Sequence, residues 1–323
     1  MDVIPPDIAA IEATHAVILP HIVQTPVVRC AGIEDELEGA TVIAKLEFLQ
    51  RTGTFKARGA LSVMLGLDDE RRSAGVTAVS AGNHAIAVAY AARMAGTSAR
   101  VVMIRSANPL RVERCRHFGA EVVLADDVHA AFAMAEDISR SEGRYFVHPF
   151  EGEGIALGTA TLGLELCRQA GEFDVLLVPV GGGGLCAGVS TAVRQLNPDC
   201  RIIGVEPVGA DTMYRSLASG KPQSIDRVRT IADSLGAPFA LPYSFELCRR
   251  SLSEVVRVTD DELSAAMRFL FRRMKIAVEP ACASTTAAIL GPLRAPLAGR
   301  RVAIVMCGSN IDWDTWAAHA KFQ

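Results

Sequence analysis

The sequence predicts an α/β protein of two domains, each an open, mostly parallel sheet flanked by helices. Two observations predict this fold class. Between residues 76 and 142, short apolar segments alternate with segments of helical periodicity, which is typical of a parallel sheet. A second series of the same kind begins near residue 174. The simplest arrangement of the two series is a pair of α/β domains with a cleft between them.

The first part of the chain predicts a helix, a strand and a second helix. Isoleucines recur at helical spacing within residues 6–20, and Thr41–Leu46 is apolar enough for a buried strand. A loop then leads into a helix that ends near residue 67. The alternating segments that follow predict three strands and three helices, in the order Val76–Val79, 84–95, Ala99–Ile104, 109–118, 121–124 and Val128–Glu142.

The second series starts with a strand, a run of glycines and a helix. The apolar segment 175–180 predicts the strand, and residues 185–196 predict the helix. The remaining predicted elements are a strand at 201–205, helices at 260–275 and 282–290, and a closing strand at Arg301–Met306.

Composition and charge restrict the classes of function. The chain has 323 residues, of which 50% are hydrophobic and 21% charged, so it can bury a sizeable core. The formal net charge of −3 provides no basic surface for nucleic acid or an anionic membrane. No apolar run is long enough to span a membrane, and the first residues lack the features of a signal peptide. We expect a soluble cytoplasmic protein that binds neither.

The cysteine pattern supports the same compartment. The chain has eight cysteines and no CxxC pair. Scattered cysteines favour free thiols in a reducing environment over disulfides or a zinc site. They are Cys30, Cys115, Cys167, Cys186, Cys200, Cys248, Cys282 and Cys307.

The glycine run is the sharpest local signal. A hydrophobic strand leads into four glycines and then into a helix, and such a turn directs several backbone N–H groups toward one anion. A phosphate group is therefore the expected ligand. Two glycines with Ala187 also satisfy GxGxxA, and Glu206 ends the next strand, so a dinucleotide site is an alternative. The four residues are Gly181, Gly182, Gly183 and Gly184.

Lys56, Phe55 and Asn83 narrow the choice of cofactor. Lys56 lies at the predicted start of a helix, where the helix dipole and burial both lower the pKa of an amine and favour a nucleophile. Phe55 can form a wall for an aromatic ring, and Asn83 can hydrogen-bond a ring hydroxyl. With a phosphate site, these features describe pyridoxal 5′-phosphate.

The ordered motifs resemble those of a known family. The segments KLEFLQRTGTFKARGA, SAGNHAIAVAYAA, VGGGGL, TIADSL and MCGSN occur in sequence and span nearly the whole chain. Together they resemble the fold type II, or tryptophan-synthase-β-like, pyridoxal-phosphate enzymes. Within these enzymes the similarity is to the threonine and serine dehydratases and serine racemases.

The resemblance implies roles for individual residues. Lys56 would be the catalytic lysine that forms a Schiff base with the cofactor, and Phe55 would lie against the cofactor ring. Asn83 would bind the ring hydroxyl, residues 181–184 the phosphate, and Cys307 the pyridine nitrogen. The loop that would bind the substrate carboxylate consists of Ser80, Ala81, Gly82, Asn83 and His84.

Cys307 and Ala81 favour one reaction over the others. A thiol does not keep a pyridine nitrogen protonated as a carboxylate does, so a long-lived carbanion is disfavoured and loss of a β-hydroxyl is favoured. Racemases of the family carry a serine acid where this chain has Ala81, which has no proton to give. The expected reaction is β-elimination of L-threonine, L-serine or a related amino acid to a 2-oxo acid and ammonia.

Alternative functions remain open at this point. Phe48 replaces an asparagine that many relatives carry, so a larger substrate such as phenylserine or hydroxyaspartate is an alternative. A racemase, a nicotinamide dehydrogenase suggested by the glycines alone, and a non-catalytic binding protein are the others. The dehydrogenase gives Lys56 no role, and pure binding does not need a Schiff-base amine.

A metal site, domain limits and oligomer complete the expectations. Racemase-like relatives hold a divalent cation, Mg²⁺ or Ca²⁺, near the segment that here contains Glu206 and the Ala210 carbonyl. We do not expect a cation because Thr212 stands where a second acidic ligand is required. We expect a discontinuous large domain of residues 1–74 and 152–323, and a small substrate-closing domain of residues 75–151. The cofactor would lie in the cleft between them, and a homodimer is expected.

Overall fold

Two separate sheets contain the ten strands found in the computed structural model, which describes residues 3–80 and 82–321. The larger sheet has the strand order β1-β2-β10-β7-β8-β9, and only β1 is antiparallel to its neighbour. Its strands are β1 (Val27–Arg29), β2 (Thr41–Leu46), β7 (Val175–Pro179), β8 (Arg201–Pro207), β9 (Glu254–Val258) and β10 (Arg301–Met306).

The smaller sheet is entirely parallel and comes from one continuous stretch of chain. Its strand order is β5-β4-β3-β6. Parallel strands need crossover connections, and helices supply them here, covering the sheet. The strands are β3 (Val76–Val79), β4 (Ala99–Ile104), β5 (Glu121–Ala125) and β6 (Tyr145–Phe146).

Helices precede, connect and follow these strands. The first seven are α1 (Ile8–Ile18), α2 (Ala31–Glu34), α3 (Lys56–Leu65), α4 (Asp69–Ala74), α5 (Asn83–Met94), α6 (Pro109–His117) and α7 (Val128–Glu142). The others are α8 (Glu153–Ala170), α9 (Gly184–Leu196), α10 (Thr212–Ser219), α11 (Pro242–Ser251), α12 (Asp260–Phe269), α13 (Pro280–Leu290) and α14 (Trp313–Ala320). Short 3₁₀ turns occupy Leu19–His21, Glu47–Leu49, Val208–Ala210 and Asp233–Leu235, and a π-helical turn Leu270–Met274 extends α12.

Polar side chains fix where several helices begin. Asp127 caps α7 by accepting a hydrogen bond from the Ala130 amide at 2.8 Å. Thr259 and Glu262 form a reciprocal capping box at the start of α12. Each cap satisfies backbone donors that the first helical turn leaves without partners.

The structure confirms the predicted fold class: two mostly parallel sheets flanked by helices. Every predicted strand is present, and the predicted helix 260–275 consists of α12 followed by the π-helical turn. The domain limits stay a prediction, although all strands of the smaller sheet fall within residues 75–151.

The sequence analysis missed α8, although it is 18 residues long. Most of its surface is buried, so it lacks the polar face that gives an amphipathic period. Two of its glycines allow it to pack closely on α3 and α9. A Cβ atom at Gly158 would lie 2.4 Å from the Arg58 carbonyl oxygen, and one at Gly163 would lie 2.7 Å from the Val189 carbonyl oxygen.

The sequence analysis predicted no segment long and apolar enough to span a membrane. Among the helices of residues 3–80 and 82–321, none is both long and apolar enough to cross a bilayer.

Candidate active site

A cavity of about 270 Å³ lies between the two sheets. The ends of β3 and β4 line it from the smaller sheet, and the segments after β7 and β10 line it from the larger sheet. Ligands of parallel sheets bind at the carboxyl ends of the strands, which is where these segments lie. The cavity therefore occupies the predicted cleft.

Lys56 is the first residue of α3 and lines this cavity. Its Nζ atom donates a hydrogen bond to the Pro149 carbonyl oxygen at 2.6 Å and lies 5.3 Å from the centre of the Phe55 ring. Burial lowers the pKa of Lys56 to about 8, against opposing effects of Cys307 and Glu279. A substantial share of the amine is consequently neutral near physiological pH.

The glycine loop lies in the cavity wall between β7 and α9. Gly183 has a φ of +96°, which disfavours any residue with a side chain. A Cβ atom at Gly184 would lie 2.5 Å from the Phe150 carbonyl oxygen, and one at Gly182 would lie 2.3 Å from the Phe150 ring. The loop thus presents backbone amides and a helix N-terminus to the cavity, an arrangement that suits a phosphate group.

We expect Gly184→Ala to weaken cofactor binding because the new methyl group must displace the backbone at Phe150. Overpacking of this kind costs about 1–3 kcal/mol, so we expect roughly tenfold or greater loss of affinity for pyridoxal phosphate. An absorbance titration measures this affinity. Gly220→Ala is the control, because a Cβ atom at Gly220 would have no other atom within 4 Å, although φ is +75° there. Equal loss of affinity in both variants would contradict the steric explanation.

Asn83 begins α5 at the opposite wall and is fully hydrogen-bonded. Its Nδ2 atom donates to both Glu279 oxygens, at 2.9 and 3.1 Å, and to the Ser234 hydroxyl at 3.1 Å. Its Oδ1 atom accepts from Asn310 Nδ2 at 2.8 Å. The orientation of the amide is therefore set by residues of the larger sheet's half of the chain.

The predicted substrate loop reaches the same cavity through four of its five residues. Ser80, Gly82, Asn83 and His84 line the cavity, whereas Ala81 lies outside the described residues. The Gly82 amide donates to Ser80 Oγ at 3.1 Å. His84 Nε2 is 2.9 Å from the Val147 carbonyl oxygen, and burial lowers the pKa of His84 to about 3. His84 is accordingly neutral and a hydrogen-bond donor at that nitrogen.

Cys307 follows β10 and also lines the cavity. Its carbonyl oxygen accepts a hydrogen bond from the Phe55 amide at 3.1 Å, which connects it to the segment carrying Lys56. A hydrogen bond with Cys282 and burial raise the pKa of the Cys307 thiol well above its usual range. The thiol is thus uncharged. Phe48, which the sequence analysis also singled out, packs on the core of the larger sheet.

The structure adds cavity residues to which the sequence analysis assigned no role. Glu279 and Phe150 line the cavity, as do Arg111 and Asp233, which form an ion pair with N–O distance 2.5 Å. Asp233 belongs to the motif TIADSL, so that motif was a signal for it. Glu279 stands alone in an apolar segment, and only the unusual position of an acid there could have indicated it.

The segment considered for a metal has few suitable ligands. Glu206 accepts the backbone amides of Met213 and Tyr214 at 2.9 and 2.8 Å, and burial raises the pKa of Glu206 to about 8. Ala210 is also buried. The described residues contain no group of three or more histidine, cysteine or acidic side chains suited to a metal ion. This donor set does not fit a hard divalent cation.

A buried charge cluster lies behind the lysine. Arg58, in the first turn of α3, makes salt bridges of 2.8 Å to both Glu47 and Glu165. Lys45 Nζ is 2.6 Å from Glu165, and all four side chains are essentially inaccessible to solvent. The cluster joins β2, α3 and α8, and so fixes the helix that begins with Lys56.

Comparisons with known proteins agree with this geometry. Residues 18–308 match the family described as pyridoxal-phosphate dependent enzymes. The chain is 54% identical over 314 residues to a phenylserine dehydratase from Ralstonia pickettii, covering 97% of this chain and 96% of that enzyme. It is 37% identical to an L-threonine ammonia-lyase from Thermotoga maritima, covering 91% and 73% of the two chains. The structure of maize serine racemase superposes with a TM-score of 0.91 at 33% identity, covering 98% of each chain.

These comparisons confirm the predicted resemblance, the pyridoxal-phosphate cofactor and the lyase class, and the named relatives cover the predicted β-elimination and two of its alternatives, a larger β-hydroxy substrate and racemisation. The glycine loop and Lys56 fit that cofactor, since they offer a phosphate site and an amine in one cavity. The chain belongs to the family of pyridoxal-phosphate-dependent enzymes.

Proposed function

We propose that this enzyme removes the β-hydroxyl and amino groups from a β-hydroxy amino acid with an aromatic β substituent, namely phenylserine. The products are a 2-oxo acid and ammonia. The observation that carries this choice is the apolar end of the cavity beside the loop that starts at Ser80. Five hydrocarbon side chains that line the cavity belong to one hydrophobic cluster and form this end: Val79, Val102, Ile104, Ala131 and Phe132.

A phenyl group suits this apolar surface better than a methyl group or a hydrogen. Burial of apolar surface contributes roughly 25 cal/mol per Å², so a ring that covers these side chains gains more than the methyl of threonine. A second carboxylate, as in hydroxyaspartate, would lose hydration against hydrocarbon. The similarity to the phenylserine dehydratase of R. pickettii supports the same substrate.

The residues around Lys56 would hold the cofactor. The amides of residues 181–184 would bind its phosphate, Phe55 would contact its ring, and Asn83 would lie against its ring hydroxyl. Pyridoxal phosphate, when bound, withdraws electrons from the α-carbon of an amino acid joined to it. The uncharged thiol of Cys307 would contact the pyridine nitrogen without forcing a proton onto it.

Lys56 is the residue that we propose moves the proton. Its neutral amine can accept the α-proton at Nζ, and the ammonium group so formed can give a proton to the departing β-hydroxyl, which leaves as water. The Ser80 hydroxyl and backbone amides of the loop that ends at His84 would bind the substrate carboxylate through hydrogen bonds and orient the α-carbon. Ala81 offers no hydroxyl for reprotonation from the other face, which supports elimination over racemisation.

The test is a 2-oxo acid and ammonia assay on phenylserine, threonine, serine and hydroxyaspartate, with the visible spectrum recorded first. We expect a yellow protein whose kcat/KM is highest with phenylserine. Faster turnover of threonine or serine would keep the reaction and overturn the aromatic substrate. A D-amino acid as the main product would overturn the elimination itself.

Phe132→Ala tests the apolar end directly. We expect kcat/KM for phenylserine to fall about tenfold, equivalent to ~1.4 kcal/mol of lost contact, while kcat/KM for threonine changes little. Phe146→Ala is the matched control, since Phe146 packs on the same small core as Phe132. If Phe146→Ala reduced the phenylserine preference as strongly, the effect would come from loosened packing instead.

We further propose three properties beyond the site. The smaller sheet with its helices, residues 75–151, would form the domain that closes over the substrate, and residues 1–74 and 152–323 the large domain.

The exposed rings of Phe271 and Trp313 support self-association as a homodimer. The eight free cysteines support a reducing, cytoplasmic location.

A further inference from the structure

Glu279 is a buried carboxyl group that the proposed reaction does not use. It immediately precedes α13, is 1% exposed and lines the cavity. Both of its oxygens accept from Asn83 Nδ2, at 2.9 and 3.1 Å. The backbone at Gly308 lies so close that a Cβ atom there would be 2.9 Å from Glu279 Oε1. The carboxyl group is therefore held in one place in the wall.

Glu279 differs from the other buried acids near Lys56 in having no counter-ion. Glu47 and Glu165 each form a salt bridge of 2.8 Å with Arg58. Within residues 3–80 and 82–321, Glu279 has no such ion pair. Burial without a counter-ion destabilises the carboxylate relative to the protonated acid.

The charged neighbours of Glu279 partly cancel one another. Burial is the main cause that raises its pKa and Asp233 raises it further, while Arg111 and the hydrogen bonds from Asn83 and Ser234 lower it. On the cavity side, Lys56 and Cys307 are the titratable groups coupled to it, and an ionised Glu279 would raise the pKa of both. A proton on Glu279 consequently favours the neutral amine of Lys56.

We propose that Glu279 is a positioning residue that carries a proton: its neutral carboxyl group holds the Asn83 amide at the cavity wall and keeps a negative charge away from Lys56. This inference concerns the site of the proposed function, but it does not depend on the identity of the substrate. It predicts that a neutral isostere can replace the acid, whereas loss of the hydrogen-bond acceptor cannot be tolerated.

The experiment compares the full-chain holoenzyme with Glu279→Gln and Glu279→Ala. In the infrared difference between wild type and Glu279→Gln at neutral pH, we expect the carbonyl band of a protonated carboxylic acid and no carboxylate bands. We expect Glu279→Gln to bind pyridoxal phosphate within about threefold of wild type, and Glu279→Ala to bind it roughly tenfold more weakly, as for loss of a buried hydrogen bond.

The pH dependence of the bound cofactor's visible spectrum supplies a readout that a purely structural role would not predict. Wild type and Glu279→Gln should share one titration midpoint, because neither places a negative charge beside Lys56. Carboxylate bands in the infrared difference, or a midpoint shifted in Glu279→Gln, would overturn the proton on Glu279. Full cofactor affinity in Glu279→Ala would overturn the positioning of Asn83.

The two proposals can fail separately. A protein that turns over threonine but not phenylserine would overturn the substrate while the infrared and cofactor measurements still report on Glu279. Carboxylate bands in a protein that does turn over phenylserine would overturn only the inference on Glu279.

Discussion

Lys56→Ala is expected to abolish turnover, with kcat reduced at least about 1,000-fold, because Lys56 provides the only amine among the described residues that line the cavity. The purified variant should also lose the yellow colour of the covalently held cofactor. The measurement is the 2-oxo acid assay together with the visible spectrum.

In wild type we expect activity to fall as the pH drops through about 8, the pKa to which burial lowers Lys56, because the amine then gains a proton.

Two controls make the Lys56→Ala result specific. Lys221→Ala removes an exposed lysine and should leave both spectrum and turnover unchanged. Far-ultraviolet circular dichroism should show that Lys56→Ala is folded, since Nζ makes a single hydrogen bond to the part of the chain that the structure describes. Turnover close to wild type in folded Lys56→Ala would refute the assigned role of this residue.

Arg58→Met is expected to destabilise the fold by about 3–5 kcal/mol, because it leaves Glu47 and Glu165 buried without their shared counter-ion. The free energy of unfolding from a urea titration measures this loss. The effect should also reach Lys56, since Arg58 lies in the same helical turn. We therefore expect a weaker affinity for the cofactor in the variant at temperatures where it remains folded.

An exposed arginine provides the comparison for Arg58. Arg301 pairs with Asp174 and Glu172 at the surface, where solvent screens the charges, so Arg301→Met should change the unfolding midpoint little. Similar losses in both variants would mean that burial does not govern the cost. A small loss in Arg58→Met would mean that the cluster contributes little to stability.

Local sequence predicted the parts of the site that lie within one segment. Lys56 and the glycines at 181–184 each stand at a loop-to-helix junction, and the residue types that such junctions need are visible in the sequence. The alternation of strands and helices likewise predicted both parallel sheets.

The parts that were missed depend on contacts between distant segments. The partner of Arg58 at Glu165 is 107 residues away, and Asn83 is 196 residues from Glu279. Residues so far apart in the sequence form no local pattern from which their contact could be predicted. The helix α8 was missed for a related reason: it is buried on several sides, so its sequence lacks the polar face by which a surface helix is found.

The position of β10 has a consequence for synthesis of the chain. In the larger sheet β10 is inserted between β2 and β7, with Arg301 beside Thr41 and Val302 beside Val175. The ribosome makes this strand last among the ten that the described residues contain. β1 and β2 therefore cannot pair with the rest of the larger sheet until β10 has been made, whereas the smaller sheet can form from one continuous stretch. Cys307 emerges directly after it. A nascent chain would thus gain the ability to capture its cofactor only after β10 has been made.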